Sequence, residues 1–199
     1  WAISTYVIFG ITEQIFFHRL FTHKAWSCPK WLEYIGLVMS SMMFIGSSII
    51  FVCLHRLHHA TSDTEKDPHS PVHKPRWYIQ FGGGFFGPLK INLAKDLLRD
   101  KVHMFVHKYY FKVTLACHAL VWLLVGTENF FLGFLPGIGL AIIAAKSVNQ
   151  NHGKESLLFY RNYKDGDQSL NNFIGGYLTF DGWHNNHHGN PATKYYGER

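Results

Sequence analysis

Apolar and polar residues are segregated into long blocks along the 199-residue chain. Apolar blocks occupy residues 1–17, 31–54 and 109–145, and the sequence Gly-Thr-Glu-Asn at 126–129 interrupts the third block. A helix needs about 17 or more mostly apolar residues to cross a bilayer. The pattern therefore predicts an all-α integral membrane protein, with a bundle of three membrane spans at about residues 1–17, 110–126 and 130–147.

The block 31–54 fits this scheme less simply. As a helix it would reach about 36 Å, too short for two crossings of a hydrocarbon core that is about 30 Å thick. A single crossing would place the polar segments on its two sides on opposite faces of the membrane. We therefore expect this block to lie at the interface or to pack under a polar cap.

Charge indicates the orientation. The chain has 19 Lys and Arg, 13 Asp and Glu, and a formal net charge of +6, which suits a nucleic acid or an anionic membrane face. None of the basic residues lies at the predicted far ends of the spans, residues 1–5 and 126–130. The positive-inside rule then makes the polar side cytoplasmic and explains the charge without a nucleic-acid partner.

Histidine is the unusual component, with 14 residues. Eight lie in three short motifs, HRLFTH (18–23), HRLHH (55–59) and HNNHH (184–188), and His152 stands alone in a polar segment. In the second and third motifs the spacing i, i+3, i+4 places the side chains on one helix face. In the first motif the spacing of five is about 140° on an α-helix, so we expect it to straddle a helix end.

Clustered neutral imidazoles indicate metal ligation. Nine of them exceed the needs of one ion, so two ions are expected. The chain has no HExxH or ExxH motif and no CxxC pair, which excludes zincins, carboxylate-bridged di-iron bundles and cysteine-bound clusters. Such a set beside a membrane suits iron doing oxygen chemistry, with copper as the alternative. We expect structural roles for five histidines: His69, His73, His103, His107 and His118. His69 also follows Asp67-Pro68 and is a candidate to orient a ligand.

The three motifs, together with Asp63, Asp67-Pro68-His69 and the Gly-Trp before the third motif, resemble the histidine boxes of the membrane-bound fatty acid desaturases. The resemblance is nearest to the delta-9 acyl-CoA and bacterial acyl-lipid types and covers about residues 8–191. It implies one desaturase domain over 1–199, truncated at the N-terminus and at the C-terminus. The family core has four membrane helices, of which three are expected here, and a helical cytosolic cap that holds two iron ions.

The resemblance also implies site residues. The metal ligands would be His18, His23, His55, His58, His59, His152, His184, His187 and His188, with Asn149 acting through a water. In the family an Asn stands four residues before the isolated His, where this chain has Val148, and Asn149 is the nearest substitute. Residues expected to orient or flank the ligands are Asp63, Asp67, Asp167, Asn172 and Trp183. Residues expected to line an acyl tunnel are Ala2, Tyr6, Phe17 and Phe21.

The implied activity is O2-dependent introduction of a cis double bond, at delta-9, into a CoA-linked or lipid-linked saturated acyl chain. Electrons would come from a donor such as cytochrome b5 or ferredoxin. The basic residues near the boxes would contact carrier phosphates or an acidic donor, or form the positive-inside surface: Arg19, Arg56, Lys66, Lys74 and Arg76. One alternative is a membrane di-iron hydroxylase or ketolase. The other is a membrane metal-binding or transport protein, which should carry its ligands inside the spans.

Overall fold

The computed structural model describes residues 1–82, 89–195 and 197, and within these residues it is helical without a β-strand. The α-helices are α1 (Ala2–Thr12), α2 (Lys30–Ser41), α3 (Ser48–Thr61), α4 (Arg76–Gln80), α5 (Lys95–Leu98), α6 (Lys101–Lys108), α7 (Tyr110–Asn129), α8 (Leu135–Val148), α9 (Phe173–Thr179) and α10 (His184–Gly189). A π-helical segment, π1 (Glu13–Thr22), continues α1, and π2 (Phe130–Phe134) joins α7 to α8. A 3₁₀ turn, Ile91–Ala94, precedes α5.

The long apolar stretch reverses direction at Gly126, whose φ of 80° and ψ of 165° suit glycine. The rings of His118 and Phe134 lie 5.5 Å apart, although 16 residues of straight helix would separate them by about 24 Å. The halves before and after Gly126 therefore pack as the antiparallel hairpin that the sequence predicts. Among the described residues, this stretch, Tyr110–Val148, is long and apolar enough to cross a membrane.

Helix α1 packs along α8 in the same direction. Trp1 lies against Gly133 and Thr5 against Gly137, where an added methyl group would come within 2.5 Å of Thr5 Cβ. Glycine at this contact lets the two helices approach closely. Large apolar side chains remain exposed on the outer faces of α1, α7, π2 and α8: Ile3, Ile8, Phe111, Leu123, Leu124, Leu132 and Ile143.

The block 31–54 forms a short hairpin of α2 and α3. Its turn has positive φ at Phe44 and Gly46 and lies beside α7, where the Phe44 and His118 rings are 4.9 Å apart. The Tyr110 hydroxyl donates to the Ser41 carbonyl at 3.1 Å, so the hairpin follows about the first two turns of α7. The block thus begins and ends on the same side, as the polar segments flanking it require.

The polar end of the helices carries the two irregular segments that follow α3 and α8. Arg56 of α3 joins this end to its neighbours: it donates to the carbonyls of Phe21 and Thr22 at 2.8 and 3.0 Å and to the Asp96 carboxylate at 2.9 Å. Arg56 therefore ties the end of π1 to α3 and α5. This role differs from the carrier contact or free basic surface expected from the sequence.

Candidate metal centre

The structure brings all nine predicted histidine ligands together, in two adjacent clusters. The five-histidine cluster contains His18, His23, His55, His59 and His187, and the four-histidine cluster contains His58, His152, His184 and His188. Within each cluster every residue offers a ring nitrogen within 4.8 Å of the others. Each cluster therefore has the size of one ion's ligand set.

The second and third boxes each contribute to both clusters. Helix α3 directs His55 and His59 into the five-histidine cluster and His58 into the other. Helix α10 does the reverse, because His184 and His188 join the four-histidine cluster and His187 joins the other. Positions i+3 and i+4 of an α-helix point about 100° apart, so the paired and single histidines of one box reach neighbouring sites.

The first box uses π-helical geometry to place its two histidines together. The backbone N–H of His23 donates to the His18 carbonyl at 3.3 Å, and Thr22 Oγ1 donates to the Phe17 carbonyl at 2.8 Å. Both bonds span five residues, the hydrogen-bond spacing of a π-helix. The His18 and His23 rings come to one face, with their centroids 5.1 Å apart. His23 directly follows the last residue of π1, so the box does reach a helix end, as expected.

Ring nitrogens within the clusters face one another at the spacing of metal ligands. The distance between Nε2 atoms is 2.9 Å for His18 and His187, and 3.1 Å for His152 and His184. Two ligands at right angles, each about 2.1 Å from an ion, lie about 3.0 Å apart. The Nε2 of His23 is buried and has no hydrogen-bond partner among the described residues. These donor sets fit metal ions bound by imidazole.

Three aspartates hold the outer nitrogens of the four-histidine cluster. Asp67 lies 2.8 Å from His58 Nδ1, Asp63 lies 3.0 Å from His152 Nδ1, and Asp167 lies 2.5 Å from His188 Nδ1. An ionised carboxylate only accepts, so each Nδ1 carries the proton and each Nε2 presents its lone pair to the cluster. The structure thus places all three predicted aspartates against the Nδ1 atoms of clustered histidines, the contact that would orient a ligand ring.

The electrostatics keep Asp63 and Asp167 charged. Burial opposes ionisation of Asp63 and Asp167, but hydrogen bonds from His152 and His188 outweigh it and lower the pKa of both carboxyls. The Asp67 carboxylate has a second hydrogen bond, because its Oδ2 also accepts from the backbone N–H of Asp63 at 3.1 Å. The four-histidine cluster therefore has an anionic outer layer.

Burial also keeps several of the clustered imidazoles neutral. Burial, reinforced by the neighbouring histidines, lowers the pKa of His55 and His184 well below its usual value. It lowers the pKa of His23 to about 3 and that of His188 to about 4, the latter despite the attraction of Asp167. Neutral imidazole is the form that binds metal, so the fold presents its ligands ready for ions.

The five-histidine cluster has a different outer layer. His18 Nδ1 lies 2.7 Å from Gln14 Oε1, an amide that the sequence reasoning missed although it stands four residues before His18. His18 Nδ1 also lies 3.5 Å from the Asp181 carboxyl, but burial raises the pKa of Asp181 to about 7 and lowers that of His18. Burial thus opposes both charges, and we interpret this contact as largely uncharged.

A cavity of about 60 Å³ adjoins the histidines. Its wall includes His18, His55, His69 and Asn149 on the polar side, and Ile45, Phe51, Leu54 and Ile79 on the apolar side. Asn149 thus faces the space beside the clusters, as a role through a water requires. The cavity offers an apolar surface directly against the candidate ligands.

The four predicted tunnel residues do not line this cavity. Phe17 and Phe21 are fully buried in the core, Tyr6 packs on Phe180 at a ring distance of 5.6 Å, and the carbonyl of Ala2 adjoins Gly137. The physical reason is packing against other elements: Phe17 contacts Phe51 of α3, and Phe21 contacts His103 of α6. Phe51, which lies between Phe17 and the cavity, takes the expected position instead.

Asn172 and Trp183 occupy structural positions. Asn172 Oδ1 accepts from the Gly175 N–H at 2.9 Å and caps α9, and Trp183 precedes α10 and packs against Gly176. Within the described residues, no hydrogen bond joins Asn172 to a boxed histidine. The neighbouring Asn171 contacts the third box instead: its Nδ2 donates a hydrogen bond to Asn186 Oδ1 at 2.8 Å. Asn186 lies inside the third box, and this position was its only signal in the sequence.

The basic residues near the boxes have mixed roles. Arg19 donates to the carbonyls of Thr193 and Lys194, and Lys74 donates to the Asp67 carbonyl. Lys66 and Arg76 are exposed. Only the latter two therefore match the expected free basic surface.

Comparisons with known proteins agree with this geometry. A family model described as fatty acid desaturase matches residues 1–197. The chain is 34% identical to an sn-1 stearoyl-lipid 9-desaturase of Anabaena variabilis, over 90% of the chain and 66% of the relative. It is 32% identical to an enzyme of the same description from Synechocystis sp., over 94% and 59%.

A third relative, a chloroplastic palmitoyl-monogalactosyldiacylglycerol delta-7 desaturase of Arabidopsis thaliana, is 29% identical over 94% of the chain and 52% of its own length. The chain thus spans between about half and two thirds of these relatives. With the family model matching nearly every residue, this chain belongs to the fatty acid desaturase family.

Proposed function

We propose that this chain forms the metal-binding core of an O2-dependent fatty acyl desaturase that introduces a cis double bond at delta-9. The substrate would be a saturated acyl chain linked to a lipid or to CoA. The observation that carries the proposal is the pair of buried histidine clusters beside a cavity with an apolar wall. Two of the relatives are named as lipid 9-desaturases, which favours that position and carrier.

The substrate bonds explain why such a centre is needed. The C–H bonds of an unactivated methylene are not acidic, so a general base cannot remove these hydrogens. Two iron ions, once bound, would activate O2, which takes up the two hydrogens of the substrate together with two electrons and two protons and ends as two water molecules. The all-imidazole donor set suits iron, and the neutral histidines match its requirement for free lone pairs.

The side chains would divide the remaining work. Asp63, Asp67 and Asp167 hold three imidazoles in one orientation and tautomer through their Nδ1 protons. Ile45 and Phe51 form an apolar wall that would hold methylenes and exclude water next to the clusters. Asn149 would hold a water beside the ions.

Electrons would enter through a polar face. A cleft bordered by Thr61, Tyr163 and Asp165 reaches His59 and His188, one histidine from each cluster. An electron donor such as cytochrome b5 or ferredoxin would bind there. This cleft differs from the apolar cavity in its lining, so electron delivery and acyl binding need not compete for one opening.

The membrane arrangement belongs to the same proposal. Spans at about 1–17, 110–126 and 130–147 would leave the histidine end on the cytoplasmic side and the Gly126 turn on the other. The exposed apolar residues on α1, α7 and α8 support lipid contact. The α2–α3 hairpin would enter the bilayer partway and return.

Two rival functions use the same observations. A hydroxylase or ketolase with the same di-iron centre would differ only in the fate of the oxidised carbon. A metal transporter would carry its ligands within membrane-crossing segments. In this chain, apart from His18 and His23 at the end of π1, the ligands lie on α3, on α10 and in the loop after α8, which disfavours transport.

The test is expression of the full-length protein in a host that lacks its own desaturase. Mass spectrometry of the host lipids should show a new double bond at carbon 9 in the wild type. His58→Ala and His187→Ala should show none at equal abundance in the membrane. A hydroxylated product would favour the rival oxygenase, and product from both variants would overturn the metal-centred reaction.

A further inference from the structure

His69 lies beside both clusters without being one of the nine predicted ligands. Its ring centroid is 4.2 Å from that of His58 and 6.3 Å from that of His55, one histidine from each cluster. Its Nε2 atom is buried and has no hydrogen-bond partner among the described residues. The side chain also lines the cavity that adjoins the clusters. A buried unpartnered imidazole nitrogen is costly, so it indicates a missing partner in this space.

The position of His69 is built into the site. The His69 backbone N–H donates to Asp67 Oδ1 at 2.9 Å, while Asp67 Oδ2 lies 2.8 Å from His58 Nδ1. A single carboxylate therefore fixes the backbone of His69 and the ring of His58 together. Lys74 donates to the carbonyl of Asp67 and closes the loop around it.

The distances exclude the simplest role, direct coordination in this arrangement. Ligands of one ion lie within about 4.2 Å of each other even on opposite sides of it. His69 has a ring nitrogen within 4.8 Å of donor atoms of His58 and Asp67, but it does not share that grouping with His152, His184 and His188. His69 therefore lies outside the four-histidine ligand set in this arrangement, while its side chain lines the adjoining cavity.

We propose that His69 is a positioning residue whose Nε2 hydrogen-bonds to a water bound by the metal ion of the four-histidine cluster, on the cavity side. This cluster has one imidazole fewer than its neighbour, so a water is the natural additional ligand. The proposal rests on the two-metal centre of the proposed function, but not on the reaction that the centre performs. It gives His69 a role distinct from the structural ones of His73 and His103.

The test uses the full-length protein, purified in detergent and loaded with ⁵⁷Fe(II). His69→Phe removes the nitrogen, and His69→Gln keeps a donor at similar reach. His73→Ala is the matched control in the same loop. His73 is exposed, and its Nε2 contacts the backbone carbonyl of Asp63 instead of a clustered histidine. Iron content and Mössbauer spectra are measured for each, since an overall packing role would not shift one iron site selectively.

We expect wild-type protein and all three variants to hold two irons. His69→Phe should shift the signal of one iron, His69→Gln should shift it less, and His73→Ala should leave both signals unchanged. A loss of one iron from both His69 variants would show a direct ligand, and unchanged spectra would show packing only; either result overturns the proposal. If His69→Phe does not fold, His69→Gln is compared with His73→Ala alone. A His69→Gln protein with two irons and an unchanged spectrum would still overturn the proposal. Wild type that binds two irons but forms no double bond would contradict the proposed function alone.

Discussion

The two clusters reach similar donor sets by different means. The four-histidine cluster has fewer imidazoles, but three of its four are bonded to ionised aspartates. The five-histidine cluster has one more imidazole, while His18 contacts the neutral amide of Gln14 and the protonation-prone Asp181. A carboxylate behind an imidazole makes it a stronger ligand. We therefore infer that charge compensates for ligand number in the smaller cluster.

The largest expected effect comes from two neighbouring histidines on α10 that belong to different clusters. His187→Ala removes a ligand from the five-histidine cluster and His188→Ala removes one from the four-histidine cluster. Each variant should bind one iron instead of two, because each leaves the other ligand set intact. Each should also lose detectable desaturation, because the proposed reaction uses both ions. Iron content by mass spectrometry checks this, and a His73→Ala protein should retain both ions. Loss of both irons from each variant would show that the clusters bind as one unit.

The next effect tests the outer layers directly. Asp167→Asn keeps the shape of the side chain but removes the charge behind His188, and should weaken iron binding at the four-histidine cluster about 10- to 100-fold. Gln14→Met removes a neutral partner of His18 and should weaken the five-histidine cluster less. Competition with a chelator measures both. Equal losses would contradict the inference that charge matters more in the smaller cluster.

Arg56 tests the contrast through the fold, because it holds the end of π1. His18 of π1 and His23, which directly follows it, both belong to the five-histidine cluster. Arg56→Met removes hydrogen bonds to the carbonyls that end π1 and should cost roughly 2 kcal/mol of stability. We expect the five-histidine cluster to lose iron affinity first. Thermal unfolding with iron titration checks the order, and Arg76→Met, which changes an exposed arginine, serves as the control. A selective loss at the four-histidine cluster would contradict it.

The smallest effect concerns a third group of possible ligands, Glu33, Asp100 and His103. Here Lys30 Nζ lies 2.9 Å from both carboxylates, and Ser48 lies 2.9 Å from His103 Nδ1, so the charges and donors are already used. His103→Gln should leave the iron count at two and lower stability by about 1 kcal/mol. Iron content and thermal unfolding give both values. A wild type that holds three irons, one of which is lost in His103→Gln, would make this a third metal site.

Local pattern predicted much of this molecule. The i, i+3, i+4 spacing of the second and third boxes is found on α3 and α10, and the break near Gly126 is a reversal. The three aspartates contact histidines as expected. The expected roles of other residues stay predictions: Phe17 and Phe21 are buried in the core, and Asn172 caps a helix. Spacing along one element does not specify what lies opposite it.

The sequence by itself determined the segregation of apolar helices from a basic, histidine-bearing end, and the identity of the nine clustered histidines. The segregation follows from hydropathy, and helical periodicity indicates the histidines of the second and third boxes; the full set of nine, including His152, was implied by the family resemblance. Only the tertiary structure decided that each of the boxes on α3 and α10 divides between two clusters, that π1 aligns His18 with His23, and that His69 faces the cavity. These depend on the rotation and crossing of helices distant in sequence, which are settled by packing rather than by spacing.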